Sequence, residues 1–170
     1  MEISVHTIAI ETFVPMLQAL SEILDKGAQY AMTKNLDPAS LVNARLAPDM
    51  YPLVKQVQLA CDHAKDSTAR LMGQEPPRFE DNEERLDQLR ARIGRTIDYL
   101  SKAPAAAFAG AADRAIKIPI PNDGAIEMNG FQFLRDWALP HFYFHVVTAY
   151  DILRHSGVEI GKSDFIGDLD

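Results

Sequence analysis

The sequence has very little cysteine, no concentration of basic residues and no unbroken hydrophobic run. Its one cysteine, Cys61, excludes an intramolecular disulfide and suits the reducing cytoplasm. The net charge of −7, with lysines and arginines scattered among acidic residues, argues against a nucleic-acid-binding surface. No stretch approaches the roughly 18 consecutive apolar residues of a membrane span. The N-terminal residues also lack a basic start, so we expect neither a membrane segment nor a signal peptide.

What remains is the composition of an ordinary globular domain. Of the 170 residues, 47% are hydrophobic and 24% are charged, which is enough apolar material for one domain with its own core. We find no internal repeat and no low-complexity segment. The composition therefore predicts a single cytoplasmic domain over residues 1–170.

Apolar residues recur at steps of three and four in four segments, which is the spacing of amphipathic helices. Asp81 followed by Glu84 fits a capping box for the third helix. Asn129 fits the N-cap of the fourth helix, and Gly157 fits its end. The connection between the first two helices, with three prolines, and the tail after Gly157 are predicted to be loops. The predicted helices cover residues 7–32, 52–73, 82–102 and 130–155.

Between the third and fourth helices the hydrophobic period changes to two. Isoleucines at alternate positions from Ile116 to Ile120 lead to the turn residues Asn122, Asp123 and Gly124, and the alternation resumes up to Met128. This pattern predicts a β-hairpin over about 115–128. Four amphipathic helices with an inserted hairpin predict an all-α four-helix bundle, and the two long connections permit crossovers within it.

His141 and His145 are separated by four residues in "HFYFHVVTAYDILRH", residues 141–155. Side chains four apart lie on the same face of a helix, so the two imidazoles project together. Such a pair can bind one divalent ion at about 2.0–2.1 Å, and bundle cores often hold metals. The same spacing also fits two packed, hydrogen-bonded histidines. Pro140 removes one helical hydrogen bond and predicts a bend just before His141.

A catalytic metal site needs a third protein ligand, and the second helix offers Asp62 and His63. Neither lies on the apolar seam of that helix. His63 is about 130° from the seam, on a flank with Gln56 that looks solvated, and Asp62 is about as far on the other side. Asp62 and Lys65 are three residues apart, which predicts an ion pair beside a site, at the surface or at a dimer interface. Periodicity leaves the third ligand open.

Two other features are explained without a function. "GVEIGKS", residues 157–163, has one residue too few between its glycines for a phosphate-binding P-loop, and it follows a helix, so it predicts a helix end and a turn. Cys61 lies on the apolar seam of the second helix, where it is predicted to be a small buried residue and not a nucleophile.

Three longer segments resemble a known family. They are "LVNARLAPDMYPL" at 41–53, "QVQLACDHAK" at 56–65 and "FHVVTAYDILRHSGVEIGKSDFIG" at 144–167. Together with the length of the chain, they resemble an uncharacterised domain-of-unknown-function branch of the DinB/YfiT-like superfamily of metalloenzymes. The resemblance covers essentially the whole chain.

The resemblance implies a four-helix bundle with non-sequential helix packing, assembled as a homodimer. It also implies one divalent metal, Zn²⁺ or Ni²⁺ by ligand softness, on His141, His145 and His63, with Asp62 as the rival of His63. The implied chemistry is that of a thiol-dependent transferase or isomerase acting on a small molecule. The alternative is a non-catalytic dimeric bundle that binds a small molecule or a protein partner and no metal.

Overall fold

Four long helical segments and one hairpin make up the chain in a computed structural model that describes residues 3–122 and 124–167. The first three predicted helices are confirmed as α1, α3 and α4, and the fourth is a continuous run from α5 to α6. The all-α bundle with its hairpin is therefore confirmed. The elements are α1 (Val5–Thr33), α2 (Pro38–Val42), α3 (Leu53–Leu71), α4 (Leu86–Ser101), a 3-10 turn (Ala105–Phe108), β1 (Ala115–Ile120), β2 (Gly124–Asn129), α5 (Gly130–Gln132), a π-helical segment (Phe133–Ala138), α6 (Leu139–His155) and α7 (Lys162–Ile166).

The long helices do not pack in chain order. α1 packs chiefly against α4, and α3 packs chiefly against α6 and then against α4, so the order around the bundle is α1, α4, α3, α6. The two long connections make this arrangement possible, as their length had indicated. The centre of the core is formed by fully buried side chains of all four helices, among them Phe13, Leu17, Val57, Leu89, Ile93 and Phe142.

Helix α3 is buried on both flanks of its apolar seam. Gln56, Ser67 and Lys65, which lie off that seam, expose only 1%, 2% and 3% of their surfaces. The interpretation of the Gln56 flank as solvated is therefore wrong. A single amphipathic stripe assumes one packed face, whereas α3 lies between α6 on one side and α4 on the other.

The hairpin is confirmed with a regular antiparallel register. Ile118 of β1 lies opposite Ile126 of β2, and Ile120 lies opposite Gly124 at the turn. Asn122 and Gly124 have φ angles of 66° and 82°, the left-handed conformation that these residue types tolerate best. The third predicted turn residue, Asp123, lies outside the described residues.

Helix α4 begins at Leu86 and not near residue 82, so the capping box predicted from Asp81 and Glu84 is wrong. Asp81 instead accepts a hydrogen bond from the Lys55 ammonium at 2.6 Å. The free backbone N–H groups of Glu84 and Arg85 donate to the Gln88 side-chain oxygen at 2.7 and 3.0 Å. Gln88, in the first turn of α4, therefore provides the acceptor for two backbone N–H groups at the helix start.

Two short helices lie in segments that were predicted to be loops. The Asp37 carboxylate accepts from the Ala39 backbone N–H at 2.9 Å and begins α2. In the tail, the Asp164 carboxylate accepts from the Gly161 backbone N–H at 2.7 Å and also pairs with Lys26, which fixes α7 against α1. Both helices have five residues, too short for a hydrophobic period to be visible in the sequence.

A buried arginine, Arg92 of α4, binds several residues of the segment between α3 and α4. Its side chain is fully buried and donates to Asp62 at 2.9 Å and to the Glu80 carbonyl at 2.9 Å. It also pairs with Asp81 at 3.0 Å and with Glu83 at 3.2 Å. A buried guanidinium requires such partners because an uncompensated charge in the interior is costly.

Lys65 extends this buried charge cluster along α3. It pairs with Asp66, lies 3.7 Å from Asp62 and donates to the Pro77 carbonyl at 2.6 Å. The predicted Asp62–Lys65 pair is present. The interpretation that places it at the surface is wrong, because the segment after α3 covers the ammonium group.

Helix α1 has the length and composition to cross a membrane, with a mean hydropathy of 1.3 over its most apolar 18-residue window. Charged and polar residues interrupt the apolar residues of α1, so no unbroken apolar run marks this helix in the sequence. The core helix of a soluble protein meets the same criteria, so the finding is weak evidence for a membrane span. In the bundle, α1 buries its apolar stripe in the core, including Phe13, Leu17, Leu20, Ile23 and Leu24.

Candidate metal centre

The helix that carries the histidine pair has an irregular turn directly before it. Asn129 caps the start by accepting from the Gln132 backbone N–H at 2.8 Å, as predicted. Further along, the backbone N–H of Leu139 bonds five residues back to the Leu134 carbonyl, which is π-helical geometry. Pro140 has no N–H, and its ring would crowd the carbonyl four residues earlier in a regular helix. Where a bend before His141 was predicted, the structure has a wide π turn, a feature often found at functional sites.

His63 of α3 lies against both histidines of α6. Its ring centroid is 4.8 Å from that of His141, with 29° between the planes, and 5.4 Å from that of His145, with 13° between the planes. The three rings form one stack. His63 lies well away from the apolar seam of α3, but α6 packs on that flank of α3, so the ring still contacts both histidines.

Hydrogen bonds fix which nitrogen of each α6 histidine carries the proton. The Nδ1 atom of His141 is 2.7 Å from the Trp137 carbonyl oxygen, and the Nδ1 atom of His145 is 2.8 Å from the Gln56 side-chain oxygen. Both oxygens only accept, so both Nδ1 atoms donate. In a neutral imidazole this leaves the Nε2 lone pair free, as a metal ligand requires.

Two of the stacked rings, those of His63 and His145, are held in the neutral form. Burial, followed by the proximity of His141 and His145, lowers the pKa of His63 to about 4. Burial, followed by the proximity of His141, lowers the pKa of His145 to about 4. Neutral imidazole is the form that binds a metal, so these two side chains need no proton loss near pH 7.

Aromatic side chains cover parts of the stack. The Trp137 ring lies 4.3 Å from that of His141, and the rings of Phe144 and His145 form a T-shaped pair at 5.3 Å. Phe144 is 57% exposed, so this side of the histidines faces solvent across an aromatic rim.

Asp62, the rival of His63, is engaged elsewhere. Its carboxylate pairs with Arg92 and Lys65 on the opposite flank of α3. The structure therefore brings His63, and not Asp62, to the histidine pair.

The nitrogen donors of the three histidines suit a borderline-soft divalent ion. Their rings, however, are stacked, so the nitrogens do not converge on one point. Three imidazoles, two of them with Nε2 free, are typical nitrogen ligands of Zn²⁺ or Ni²⁺. Within residues 3–122 and 124–167, no three His, Cys, Asp or Glu side chains are already arranged to hold a metal. Near-parallel rings do not direct their nitrogens at one point, so binding by all three requires a ring of the stack to turn.

Comparison with known proteins agrees with this fold. A family model described as "Domain of unknown function (DUF1993)" matches residues 5–166. The chain belongs to the DUF1993 family. Its structure is similar to the crystal structure of a DinB family member protein from Shewanella denitrificans, with a TM-score of 0.90 and 41% sequence identity over 96% of this chain and 92% of the other. No curated protein matches.

These comparisons confirm that this DUF1993 protein has the DinB-like fold that its sequence resembles. Sequence reasoning missed Gln56 as part of the candidate centre. A signal for it was present, since Gln56 and His63 are seven residues apart and therefore lie on the same flank of α3.

Proposed function

We propose that this DUF1993 protein is a metal-dependent enzyme that holds Zn²⁺ or Ni²⁺ on His63, His141 and His145. The observation that supports the proposal is the contact of the His63 ring with both histidines of α6, across two helices. The hydrogen bonds from both Nδ1 atoms add to it, because they leave two nitrogens available on the same stack.

The expected reaction is a thiol-dependent transfer or isomerisation of a small molecule. A bound divalent ion supplies Lewis acidity and lowers the pKa of a coordinated water or thiol. The role of the chain is to present the neutral imidazoles of His63 and His145 at neutral pH and to place aromatic rings beside the histidines. Trp137 and Phe144 provide a surface for an apolar part of the substrate beside the histidines.

Elemental analysis of untagged protein tests the metal directly. We expect about one Zn or Ni per chain in the wild type and none in a His141→Ala/His145→Ala double variant. His155→Ala is the matched control, because His155 is exposed at the end of α6, away from the stack, and its loss is expected to leave the metal content unchanged. Absence of metal from the wild type after incubation with both ions would refute the proposal.

A second candidate function is a non-catalytic homodimer that binds a small molecule or a protein partner. The exposed face of α6 favours it, since Tyr143, Phe144 and Val147 expose 38%, 57% and 40% of their surfaces side by side. Sedimentation of the wild type and of Phe144→Ser distinguishes the two candidates when combined with metal content. A metal-free dimer that Phe144→Ser dissociates supports this alternative.

A further inference from the structure

The side chain of Gln56 lies between the candidate centre and the loop before α3. Gln56 is 1% exposed, and its Nε2 group donates to the Tyr51 carbonyl at 3.1 Å. That carbonyl only accepts, so the amide must direct its NH₂ group at Tyr51 and its oxygen at His145. The orientation of the amide therefore follows from the backbone of the loop.

The oriented amide determines the tautomer of His145. Its oxygen lies 2.8 Å from Nδ1 of His145. An amide oxygen can only accept a hydrogen bond, so Nδ1 must carry the proton. The other tautomer would leave Nδ1 as an acceptor facing an acceptor, within a buried contact, and that arrangement is unfavourable. The ring of a metal-binding histidine is commonly fixed in this way by a partner on its distal nitrogen.

We propose that Gln56 is a positioning residue that holds His145 in the Nδ1–H tautomer and so keeps its Nε2 atom available to a metal. The inference rests on the proposed function for its link to the metal, while the tautomer itself is a property of the metal-free protein. The Nδ1 atom of His141 donates instead to a backbone carbonyl, that of Trp137. A substitution of Gln56 can therefore change the tautomer of His145 without removing either histidine of α6.

The test uses nitrogen-15 NMR of the histidine rings in untagged, metal-free protein, with His145 assigned from a His145→Asn variant. We expect the Nδ1–H tautomer in the wild type and a shift towards Nε2–H in Gln56→Met, whose side chain has a similar shape but no acceptor oxygen. Gln56→Glu retains an acceptor oxygen and is expected to restore the Nδ1–H tautomer. This rescue separates the role of the acceptor from a general packing role.

Zinc affinity by calorimetry provides the second readout, and Gln58→Met is the matched control. Gln58 is also a buried glutamine of α3, but its amide donates to Glu83 at 2.9 Å on the other flank. We expect Gln56→Met to weaken zinc binding by about 10–100-fold and Gln58→Met to leave affinity and tautomer unchanged.

The outcomes separate this inference from the proposed function. An unchanged tautomer in Gln56→Met, or an equal loss of affinity in Gln58→Met, overturns the role of Gln56 while a zinc-binding wild type still supports the metal site. A wild type that binds no zinc overturns the proposed function, and with it the link from Gln56 to a metal, even if the tautomer shifts as expected.

Discussion

The fully buried guanidinium of Arg92 lies 2.9 Å from the carboxylate of Asp62, the residue next to His63 in the chain. Successive residues point about 100° apart around a helix, so α3 is fixed by ion pairs on one side and presents His63 to α6 on the other. The buried charge cluster and the histidine stack are therefore held by the same helix. A change on the α4 side of α3 is transmitted to the position of His63 only if it moves the helix itself.

Replacement of Arg92 by methionine is expected to destabilise the protein by about 3–5 kcal/mol, because it leaves the buried Glu83 carboxylate without its main cation. Urea unfolding measures the loss. Arg85→Met is the control, since Arg85 pairs with Asp87 at the exposed surface and its removal should leave the unfolding midpoint unchanged. Equal losses in the two variants would contradict the structural role of Arg92.

A methyl group at Gly130 is expected to destabilise the start of α5. An added Cβ would lie 1.8 Å from the Ala111 carbonyl oxygen, which is backbone and cannot move aside cheaply. We expect Gly130→Ala to cost about 3 kcal/mol, the upper range for overpacking. Gly94→Ala on the exposed face of α4 meets no atom within 4 Å and should instead stabilise the protein by about 0.5–1 kcal/mol. Thermal unfolding of both variants checks the opposite signs.

Cys61 is expected to be inert in the folded protein. Burial raises the pKa of its thiol to about 12, and the side chain has no exposed surface. A thiol reagent such as dithionitrobenzoate should therefore react with about one thiol per chain in urea and with almost none in native buffer. Rapid native labelling, at the rate of a free thiol, would contradict the burial of Cys61 in the core.

The metal-free protein is expected to lose stability as the pH falls from about 6.5 towards 4. The pKa values of His63 and His145 are near 4 in the folded protein and near 6.5 when unfolded, so the unfolded state binds more protons in this window. The free energy of unfolding must therefore fall with decreasing pH, and this contribution levels off below about pH 4. Urea unfolding of chelator-treated protein between pH 5 and 7 measures the slope, and His63→Gln should reduce it. A slope that His63→Gln leaves unchanged would mean that His63 is accessible to water.

The four long helices and β1 were predictable because each buries a stripe with a clear period, and the hairpin followed from the turn residues and the alternation after β1. The features missed depend on contacts between distant segments. Arg92 lies on the stripe of α4 between Leu89 and Ile93, where an arginine is compatible with the pattern only if carboxylates from the preceding segment reach it. A hydrophobic period carries no information about such partners.

The candidate site was predicted in part for the same reason. The spacing of His141 and His145 was visible within one helix, whereas the contact of His63 with them depends on which flank of α3 is covered by α6. Because α6 packs on a second face of α3, the flank with Gln56 and His63 is buried although its residues are polar. Gln56 was missed for the same reason. The π turn was visible only as the bend expected from Pro140.

The order of the helices around the bundle has a consequence for how the chain folds. Gln56 and His145 are 89 residues apart, with α4 and the hairpin between them. As the chain leaves the ribosome, α3 emerges long before α6, so its Gln56 and His63 flank stays uncovered until the last helix docks. Contacts of such long range are also slow to form, because a large loop must close first. The histidine stack is thus expected to be among the last parts of this protein to assemble.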